Sequence, residues 1–356
     1  MGPTGRGATL GAVARRLVTI PALLTAWTVL VVTVPVTVAV AYGFDTARRV
    51  RGAPTVRLLA FGVAFTTYEV LGVVAAFALW LARPWRRDRW EARNHRLQQW
   101  WTASLVRAAG PVLGLRLEVE EVHPDGAGGS GVVALDTPGP IVVVSRHVSV
   151  VDSLLPAHLL GVRHGRRLRY VLTRGLRLDP CLDIVGHRLP NHFVDRGGED
   201  PGREIAALEA LATGMGDEDA AVIFPEGGLY SPARRERAIR RLAEKGSSRL
   251  PVARSLCHLL APRAAGTLAL LRAAPDADVV VLAHRGVEPL ASLGALWRNA
   301  PLAGPVRLRV VRHDRRLLPG DEQGLADWLD EQWAAMDGWL DRQGRLHERT
   351  TAGATG

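Results

Sequence analysis

His147 and Asp152 lie five residues apart and are the side chains of this sequence best placed to do chemistry together. His147 follows residues 141–145, a run of apolar, β-branched side chains that is typical of a buried parallel strand. Open α/β sheets bind their ligands at the carboxyl ends of such strands. The spacing suits a turn in which the carboxylate returns to the imidazole and fixes its tautomer, so that the other ring nitrogen takes a proton from a hydroxyl.

The same two residues also allow a purely structural interpretation. Asp152 fits the N-cap of a helix predicted at about 153–160, and His147 fits a polar residue at a strand end. Taken alone, the pair does not decide between these interpretations.

Two later segments add candidate site residues. In the first, residues 186–196, Arg196 comes just after a short apolar run that includes Phe193. In the second, residues 221–228, an apolar strand ends in Phe-Pro-Glu-Gly, which includes Glu226 and Gly227. Arg196 also fits a solvated surface position, and the second segment also fits an ordinary strand-ending turn.

The elements that must position these residues alternate between strand-like and helix-like patterns. This alternation predicts an α/β fold, a mixed sheet sandwiched by helices. Strands are predicted at 115–122, 141–145, 168–173, 220–224, 278–283 and 306–312. Helices are predicted at about 153–160, 202–213, 261–274 and 322–340.

Two long apolar runs precede this pattern and predict two N-terminal membrane helices. Residues 17–44 carry no charge, and residues 58–82 carry only Glu69, so each run is long enough to cross the hydrocarbon core. A cleaved signal peptide is an alternative for the first run, and a re-entrant hairpin is an alternative for both. We expect Glu69 to be neutral and hydrogen-bonded to Thr66 or to the other helix.

The positive charge of the chain is concentrated around these runs. The formal net charge is +10, and residues 1–97, with 13 basic and 4 acidic side chains, account for nearly all of it. The rest of the chain therefore lacks the basic field that nucleic-acid binding requires, and we expect a membrane surface as the partner instead. Arginines flanking the two runs outnumber those of their connector, which favours cytoplasmic termini.

A helix predicted at 90–113 fits an amphipathic interfacial helix, with Trp100 and Trp101 either anchoring it or packing in a core.

The two cysteines, Cys181 and Cys257, lack the spacing of a disulfide framework or a zinc ribbon, and the histidines lack a metal-ligand spacing. We therefore predict no metal. Arginine far outnumbers lysine, 44 to 1, which favours a GC-rich bacterial genome and a plasma membrane location.

In its order of motifs, the sequence resembles the glycerophospholipid acyltransferase family, and within it the 1-acylglycerol-3-phosphate acyltransferases. The family's His, four residues, then Asp is matched by His147 and Asp152. Its Phe-Pro-Glu-Gly block is matched at 224–227, and its Gly, Phe and Arg block is resembled by Gly186, Phe193 and Arg196. Residues 258–266 resemble a further stretch of the eukaryotic-type branch.

The resemblance implies an acyl transfer without a cofactor, from acyl-coenzyme A or acyl carrier protein to a lysophospholipid, above all lysophosphatidic acid. His147 is then the general base, oriented by Asp152, and helix-start N–H groups stabilise the oxyanion. Arg196 holds the acceptor phosphate, and Glu226 and Gly227 position its glycerol part. Secondary candidates for substrate contacts are Phe193, Arg146, Arg174, Arg177 and Arg263.

Two departures from the family pattern bear on the identity of the acceptor more than on the type of reaction. Arg146 stands where the family usually has Asn, and the Phe-Pro-Glu-Gly block continues Gly228-Leu229 instead of Thr-Arg. Another lysophospholipid or a glycolipid is therefore the alternative acceptor. A non-catalytic lipid-binding protein and a hydrolase are alternatives of other classes, although no Gly-x-Ser-x-Gly elbow supports the hydrolase.

These observations predict a three-part organisation. Residues 1–97 form the membrane region, residues 98–347 form the catalytic domain on the cytoplasmic side, and residues 348–356 form a disordered tail.

Overall fold

A computed structural model describes residues 6–83, 86–122, 135–194 and 200–353 of the chain. The α-helices within these residues are α1 (Arg6–Ala47), α2 (Pro54–Leu81), α3 (Arg87–Leu113), α4 (Leu154–Pro156), α5 (Pro180–Gly186), α6 (Pro201–Ala212), α7 (Pro232–Glu244), α8 (Leu250–Ser255), α9 (Ala264–Ala273), α10 (Leu293–Asn299) and α11 (Glu322–Gly353). The strands are β1 (Leu117–Val122), β2 (Ile141–Ser145), β3 (Arg167–Thr173), β4 (His192–Val194), β5 (Asp219–Ile223), β6 (Asp278–Arg285) and β7 (Val306–His313).

The chain divides into two compact units. The first comprises Met1–Leu115, Leu172–Arg196 and Leu296–Ala303, and the second comprises Arg116–Val171, Gly197–Ala295 and Gly304–Gly356. The first unit thus extends beyond residue 97, the predicted end of the membrane region, because it includes all of α3 and two later segments.

In the first unit, α1 and α2 form an antiparallel hairpin. Both helices are long and apolar enough to cross a membrane. An 18-residue window within Gly11–Ala47 has a mean hydropathy of 2.2, and one within Pro54–Leu81 has a mean hydropathy of 1.8. The Trp27 indole N–H donates to Thr67 Oγ1 at 3.0 Å and joins the two helices near their middle. Most apolar side chains of α1 face outward, as expected of a helix whose partner is lipid.

Asp45, at the end of α1, caps the start of α2. Its buried carboxylate accepts the backbone N–H groups of Thr55 at 3.0 Å and of Val56 at 3.3 Å. These N–H groups have no partner within their own helix, so a carboxylate there satisfies them and favours the helix dipole. The connector is therefore held by hydrogen bonds as well as by the packing of the two helices.

Helix α3 packs against α2 and provides a partner for Glu69. The Trp101 indole N–H donates to Glu69 Oε1 at 2.9 Å, and both side chains are buried. The expected partner, Thr66, instead donates its hydroxyl to Gly62 O in its own helix at 2.8 Å. The neighbouring Trp100 is 41% exposed, so the two tryptophans divide between the core and the surface.

In the second unit, a sheet has the strand order β1-β7-β6-β2-β5-β3. Strand β2 is central and parallel to both β5 and β6, whereas β7 is antiparallel to β6 and parallel to β1. All residues of β2 and β5 are buried, as expected of parallel strands covered on both faces. The mixed α/β sheet predicted from the sequence is confirmed.

The main core lies where α6, α9 and α11 pack on one face of this sheet. Val142 and Val144 of β2 and Ile223 of β5 meet Leu270 of α9 and the fully buried Trp333 of α11. Dense apolar packing behind β2 and β5 makes their carboxyl ends a rigid support for a site.

Several short elements differ from the sequence predictions. Helices α5, α8 and α10 and the three-residue strand β4 were not predicted, since short elements show too few periods of a hydrophobic pattern to be recognised. Helix α7 has 13 residues and was missed because Ile239 and Leu242 are its only large apolar side chains. The segment predicted as helix at 153–160 is irregular, because α4 is preceded by a 3₁₀ turn and continues as a π-helix, Ala157–Arg163. Helix α11 continues to Gly353, so most of the predicted tail at 348–356 is helical.

Candidate active site

The carboxyl ends of three parallel strands converge in the second unit. Val144 of β2 pairs with Ile223 of β5, and Ser145 pairs with Leu282 of β6. The residues that follow β2, β5 and β6 therefore lie next to one another at one edge of the sheet. His147 and the Phe-Pro-Glu-Gly turn follow β2 and β5, which is where open α/β sheets hold ligands.

His147 and Asp152 form the pair predicted from their spacing. His147 Nδ1 lies 3.2 Å from Asp152 Oδ2. The Asp152 carboxylate has no exposure, whereas the His147 side chain remains 14% exposed. Because a carboxylate in this place accepts Nδ1–H, the lone pair of the imidazole lies on Nε2, the atom that is then able to receive a proton.

Asp152 is held in place by the backbone of the same turn. Its Oδ2 also accepts the N–H groups of Val148 and of Ser149, the latter at 2.7 Å. Ser149 is the N-cap of the following 3₁₀ turn, and its side chain and Asp152 form a reciprocal capping box. The prediction of Asp152 as an N-cap is wrong, because Ser149 is the N-cap and Asp152 is the third residue of the turn. Its Oδ2 nevertheless both holds the turn and faces the imidazole.

Glu226 fixes the main chain of His147 from the other side. Its Oε1 accepts the His147 N–H at 2.8 Å, and its Oε2 accepts the Leu260 N–H at 2.9 Å. Burial raises the pKa of Glu226 to about 8, against the opposing effect of these two donors. Both oxygens have internal partners, so Glu226 supports the base directly, a role that the sequence motif did not indicate.

Further contacts hold the His147 ring and carbonyl. The imidazole lies against the Phe224 ring, with 4.6 Å between ring centroids, and the His147 carbonyl accepts the Tyr230 N–H at 2.7 Å. With its N–H bound to Glu226, the base has both backbone polar groups occupied and one ring face covered. Such support keeps the imidazole in one position.

Gly227 and Arg263 lie together beside this turn. Gly227 has φ = +66°, and a Cβ built there would be 3.0 Å from Arg263 Cζ. A side chain at Gly227 would thus be both strained and obstructed. The Arg263 N–H donates to Pro225 O at 2.8 Å, and its side chain is exposed. Arg263 is therefore a cation at the edge of the turn that carries Glu226.

Arg146 points into the protein and not toward solvent. Its guanidinium donates to His284 O at 2.7 Å and pairs with Glu288 Oε1 at 2.6 Å. In return, His284 Nε2 lies 3.0 Å from Arg146 O, and it is 3.9 Å from Asp152 Oδ1. Burial lowers the pKa of His284, so a neutral imidazole donates its Nε2–H to that carbonyl.

The sequence interpretation did not identify His284 and Glu288 as part of this cluster. The strand predicted at 278–283 ended one residue before His284, whereas β6 continues to Arg285. The sequence did hold a signal for His284, because this histidine directly continues an apolar strand. That strand is parallel to the one that precedes His147. Glu288 carried no such signal, since only the tertiary fold brings it to Arg146.

The N–H groups expected to stabilise an oxyanion are engaged within the protein. The Val148 and Ser149 N–H groups donate to Asp152, and the Val151 N–H donates to the Ser149 hydroxyl at 3.3 Å. The Asp152 N–H donates to Ser149 O at 3.2 Å. These four groups at the start of the helical segment therefore have partners other than a substrate.

The candidate residues of the Gly, Phe and Arg block belong to the first unit. Phe193 is buried in β4 and fills the space at Gly186, where an added Cβ would lie 2.9 Å from its ring. His187 stacks on this ring, and the Arg177 guanidinium lies 4.9 Å from its centroid. Arg174 is exposed in the 3₁₀ turn after β3. The predicted phosphate ligand Arg196 lies outside the described residues.

The site is thus a supported His–Asp pair at the carboxyl edge of an α/β sheet. A protein-family model described as Acyltransferase matches residues 130–282, which contain this pair, Glu226, Gly227 and Arg263. The segment is an acyltransferase domain of the glycerophospholipid acyltransferase family, and the family identified from the sequence motifs is confirmed. No curated protein and no solved structure matches the chain.

Proposed function

We propose that this chain is a membrane-bound O-acyltransferase that transfers a fatty acyl group from an acyl thioester to the free hydroxyl of a lysophospholipid. The observation that carries the proposal is the contact between His147 Nδ1 and the buried Asp152 Oδ2, within a segment that matches the acyltransferase family. The preferred acceptor is 1-acyl-glycerol-3-phosphate, and the product is then phosphatidic acid.

The proposed reaction needs no covalent enzyme intermediate. His147 Nε2 removes the proton from the acceptor hydroxyl while the oxygen attacks the thioester carbonyl. The C–O bond forms and the C–S bond breaks, and the imidazolium returns the proton to the departing thiolate. Asp152 keeps Nδ1–H in place and stabilises the transient positive charge on the ring. The products are an ester and a free thiol, and no cofactor takes part in these steps.

Arg263 is the candidate that best fits recognition of the acceptor phosphate in the second unit. It is exposed, lies against Gly227 and leaves its guanidinium at the rim of the site. Arg146 is less suited to that task because its side chain is 4% exposed and is paired with Glu288. We assign Arg146 to positioning the β2 and β6 ends, and we retain Arg196, with Arg174, as candidates for phosphate contacts.

Membrane attachment through α1 and α2 fits a lipid acceptor. The two apolar helices deliver the chain to the surface where lysophospholipids reside, and the surrounding arginines fit an anionic cytoplasmic leaflet. We propose the plasma membrane of a bacterium, with the catalytic domain on the cytoplasmic side. Acyl-coenzyme A and acyl carrier protein are the proposed donors.

The test is transfer of a radiolabelled acyl group to a panel of lysophospholipids in membranes that contain the wild type or His147→Ala. We expect label in phosphatidic acid with the wild type only. His187→Ala is the matched control, because this histidine belongs to the first unit and does not touch the pair. A parallel reaction without acceptor measures hydrolysis of the thioester.

The alternatives give different results in the same experiment. Release of free fatty acid without acceptor would indicate a hydrolase, and label in another lipid would change the acceptor. Equal transfer by the wild type and His147→Ala would contradict the proposed base. Lack of transfer from both acyl-coenzyme A and acyl carrier protein to every acceptor would favour a non-catalytic lipid-binding protein.

A further inference from the structure

A large groove in the first unit combines an apolar floor with a rim of arginines. Its volume is about 990 Å³, and residues of α1, α2, α3 and α5 line it. Val73 and Phe77 of α2, Ile20 of α1 and Ile184 of α5 contribute to the floor. The rim holds the guanidinium groups of Arg16, Arg83, Arg87 and Arg188. A volume of this order accommodates a ligand larger than a simple ion.

The charge of the rim is only partly neutralised. Arg16 pairs with the buried Asp183, and Arg87 pairs with Glu91 at 2.9 Å. Among the described residues, no carboxylate forms an ion pair with Arg83 or Arg188. These two arginines therefore leave an excess of positive charge at the groove.

Trp90 contacts both of these guanidinium groups, and the Arg188 guanidinium also donates to Ala76 O at 2.8 Å. Arg83 lies 5.3 Å and Arg188 lies 5.0 Å from the centroid of the Trp90 ring, as cation–π contacts. Burial lowers the pKa of Arg188, and the neighbouring charges of Arg16 and Arg83 lower it further. Guanidinium groups that repel one another in this way are stabilised by a bound anion.

The floor requires an occupant with an apolar portion. Phe77 and Trp80 stack with 5.7 Å between ring centroids, yet they are 57% and 52% exposed. Val74 beside them is 56% exposed. Aromatic and aliphatic side chains exposed next to arginines are typical of the boundary between lipid headgroups and acyl chains. A soluble phosphate would leave this floor uncovered.

The groove lies at one end of the α1–α2 hairpin. It includes the first turns of the apolar part of α1, at Arg16 and Ile20, and the last turns of α2, from Val73 to Trp80. Arginines of both helix flanks gather at this end, which is the end that the positive-inside rule assigns to the anionic leaflet.

We propose that this groove is a binding site for one anionic phospholipid of the bilayer. Its phosphate lies among Arg83, Arg87 and Arg188, and one acyl chain lies along the floor formed by Val73 and Phe77. The occupant is a bilayer lipid because the arginines select negative charge and the floor selects an apolar chain. The site is independent of the proposed acyl transfer, since none of its residues is assigned a step in that reaction.

The test is native mass spectrometry of the full chain in detergent, with equal amounts of phosphatidylglycerol and phosphatidylcholine. We expect one phosphatidylglycerol to be retained, and at least a tenfold preference for it. Each arginine near a lipid phosphate increases the affinity for an anionic lipid about fivefold. Because Glu91 already engages Arg87, the double variant Arg83→Gln/Arg87→Gln should bind phosphatidylglycerol about tenfold less well. Arg86→Gln is the matched control, an exposed arginine of the same segment that does not line the groove.

A second variant tests the floor without changing any charge. Val73→Trp fills the groove and should release the retained lipid, whereas Leu71→Trp, an exposed position of the same helix outside the groove, should not. Circular dichroism of each variant establishes that the protein is folded. Equal retention of the two lipids by the wild type would overturn the proposal. So would unchanged binding by folded Val73→Trp, or release of the lipid by 10 mM inorganic phosphate, since these results require a site for the headgroup charge alone.

Discussion

The Glu226 carboxyl group accepts the backbone N–H of His147 at 2.8 Å, so the acid of the Phe-Pro-Glu-Gly turn holds the main chain of the candidate base. Its second oxygen accepts the Leu260 N–H. The Phe-Pro-Glu-Gly turn is thus joined to the main chain at both His147 and Leu260 through the buried Glu226 side chain. Substitutions at Glu226 should consequently act on the position of the imidazole, even where they leave the pair of His147 and Asp152 intact.

The burial of Glu226 predicts a pH dependence of stability. The pKa of Glu226 is raised to about 8 in the folded state, so the folded protein binds more protons than the unfolded chain between pH 4.5 and 8. The contribution of Glu226 protonation to the free energy of unfolding is therefore present in full below pH 4.5. It is lost as the pH rises toward 8, with a slope of at most about 1.4 kcal/mol per pH unit. Chemical unfolding in detergent at pH 5, 6, 7 and 8 measures it.

Glu226→Gln is the variant that isolates this effect. The amide leaves one backbone N–H without its acceptor, so we expect a loss of about 1–3 kcal/mol at pH 5. The amide does not titrate, so the difference from the wild type should shrink toward pH 8. Glu288→Gln controls for loss of a carboxylate elsewhere in the cluster. A constant difference from pH 5 to pH 8 would contradict a raised pKa.

The proposed role of His147 as the base predicts that its substitution lowers the rate strongly and changes acceptor binding little. His147→Gln removes the base, and we expect kcat to fall by about 10²–10⁴. Asp152→Asn replaces an oxygen that accepts two backbone N–H groups in addition to facing Nδ1, so it should lower both kcat and stability. Steady-state kinetics and unfolding of both variants separate the two effects. A fall in stability alone for Asp152→Asn would limit that residue to capping.

The elements that carry the site were predictable where the sequence pattern is local. The all-apolar run of β2 and the Phe-Pro-Glu-Gly turn after β5 indicated where the strands end, and the spacing of His147 and Asp152 indicated their contact. These features depend on a few consecutive residues and on the general geometry of parallel sheets.

The remaining contacts depend on parts of the chain that are distant in sequence. Glu226 meets His147 across 79 residues, and Arg146 meets Glu288 across 142. Arg146 therefore resembled a surface phosphate ligand by its position beside His147, although its partners bury it. A single sequence carries no periodicity or spacing that reports such pairs, so their identification required the fold.

The pairing of Arg146 with Glu288 predicts a positioning effect. Arg146→Ala should destabilise the protein by about 2–3 kcal/mol, because it removes charge-assisted bonds to Glu288 and to His284 O. We expect kcat to fall and the KM of the acceptor to stay within about twofold, since the guanidinium faces the interior. Arg146→Lys should restore part of kcat. A rise in KM with unchanged kcat would instead assign Arg146 to acceptor binding.

Arg263 predicts the opposite kinetic pattern. Arg263→Gln removes an exposed cation beside Gly227, and a charge-assisted contact to the acceptor phosphate corresponds to about a tenfold increase in the KM of lysophosphatidic acid. We expect kcat to change little. Arg254→Gln, an exposed arginine of α8, is the matched control. Unchanged kinetics of Arg263→Gln would exclude that contact.

The orientation of the catalytic domain is testable through the native cysteines. Cys257 is exposed in the second unit, whereas Cys181 is buried and burial raises its pKa well above the usual value, so only Cys257 should react with a thiol reagent. A membrane-impermeant maleimide should label inverted membrane vesicles and not intact spheroplasts, because a cytoplasmic domain is accessible only in the former. Cys257→Ser should abolish the labelling, and Cys181→Ser should not. Labelling of intact spheroplasts would place the domain outside the cell and contradict the orientation derived from the arginines around α1 and α2.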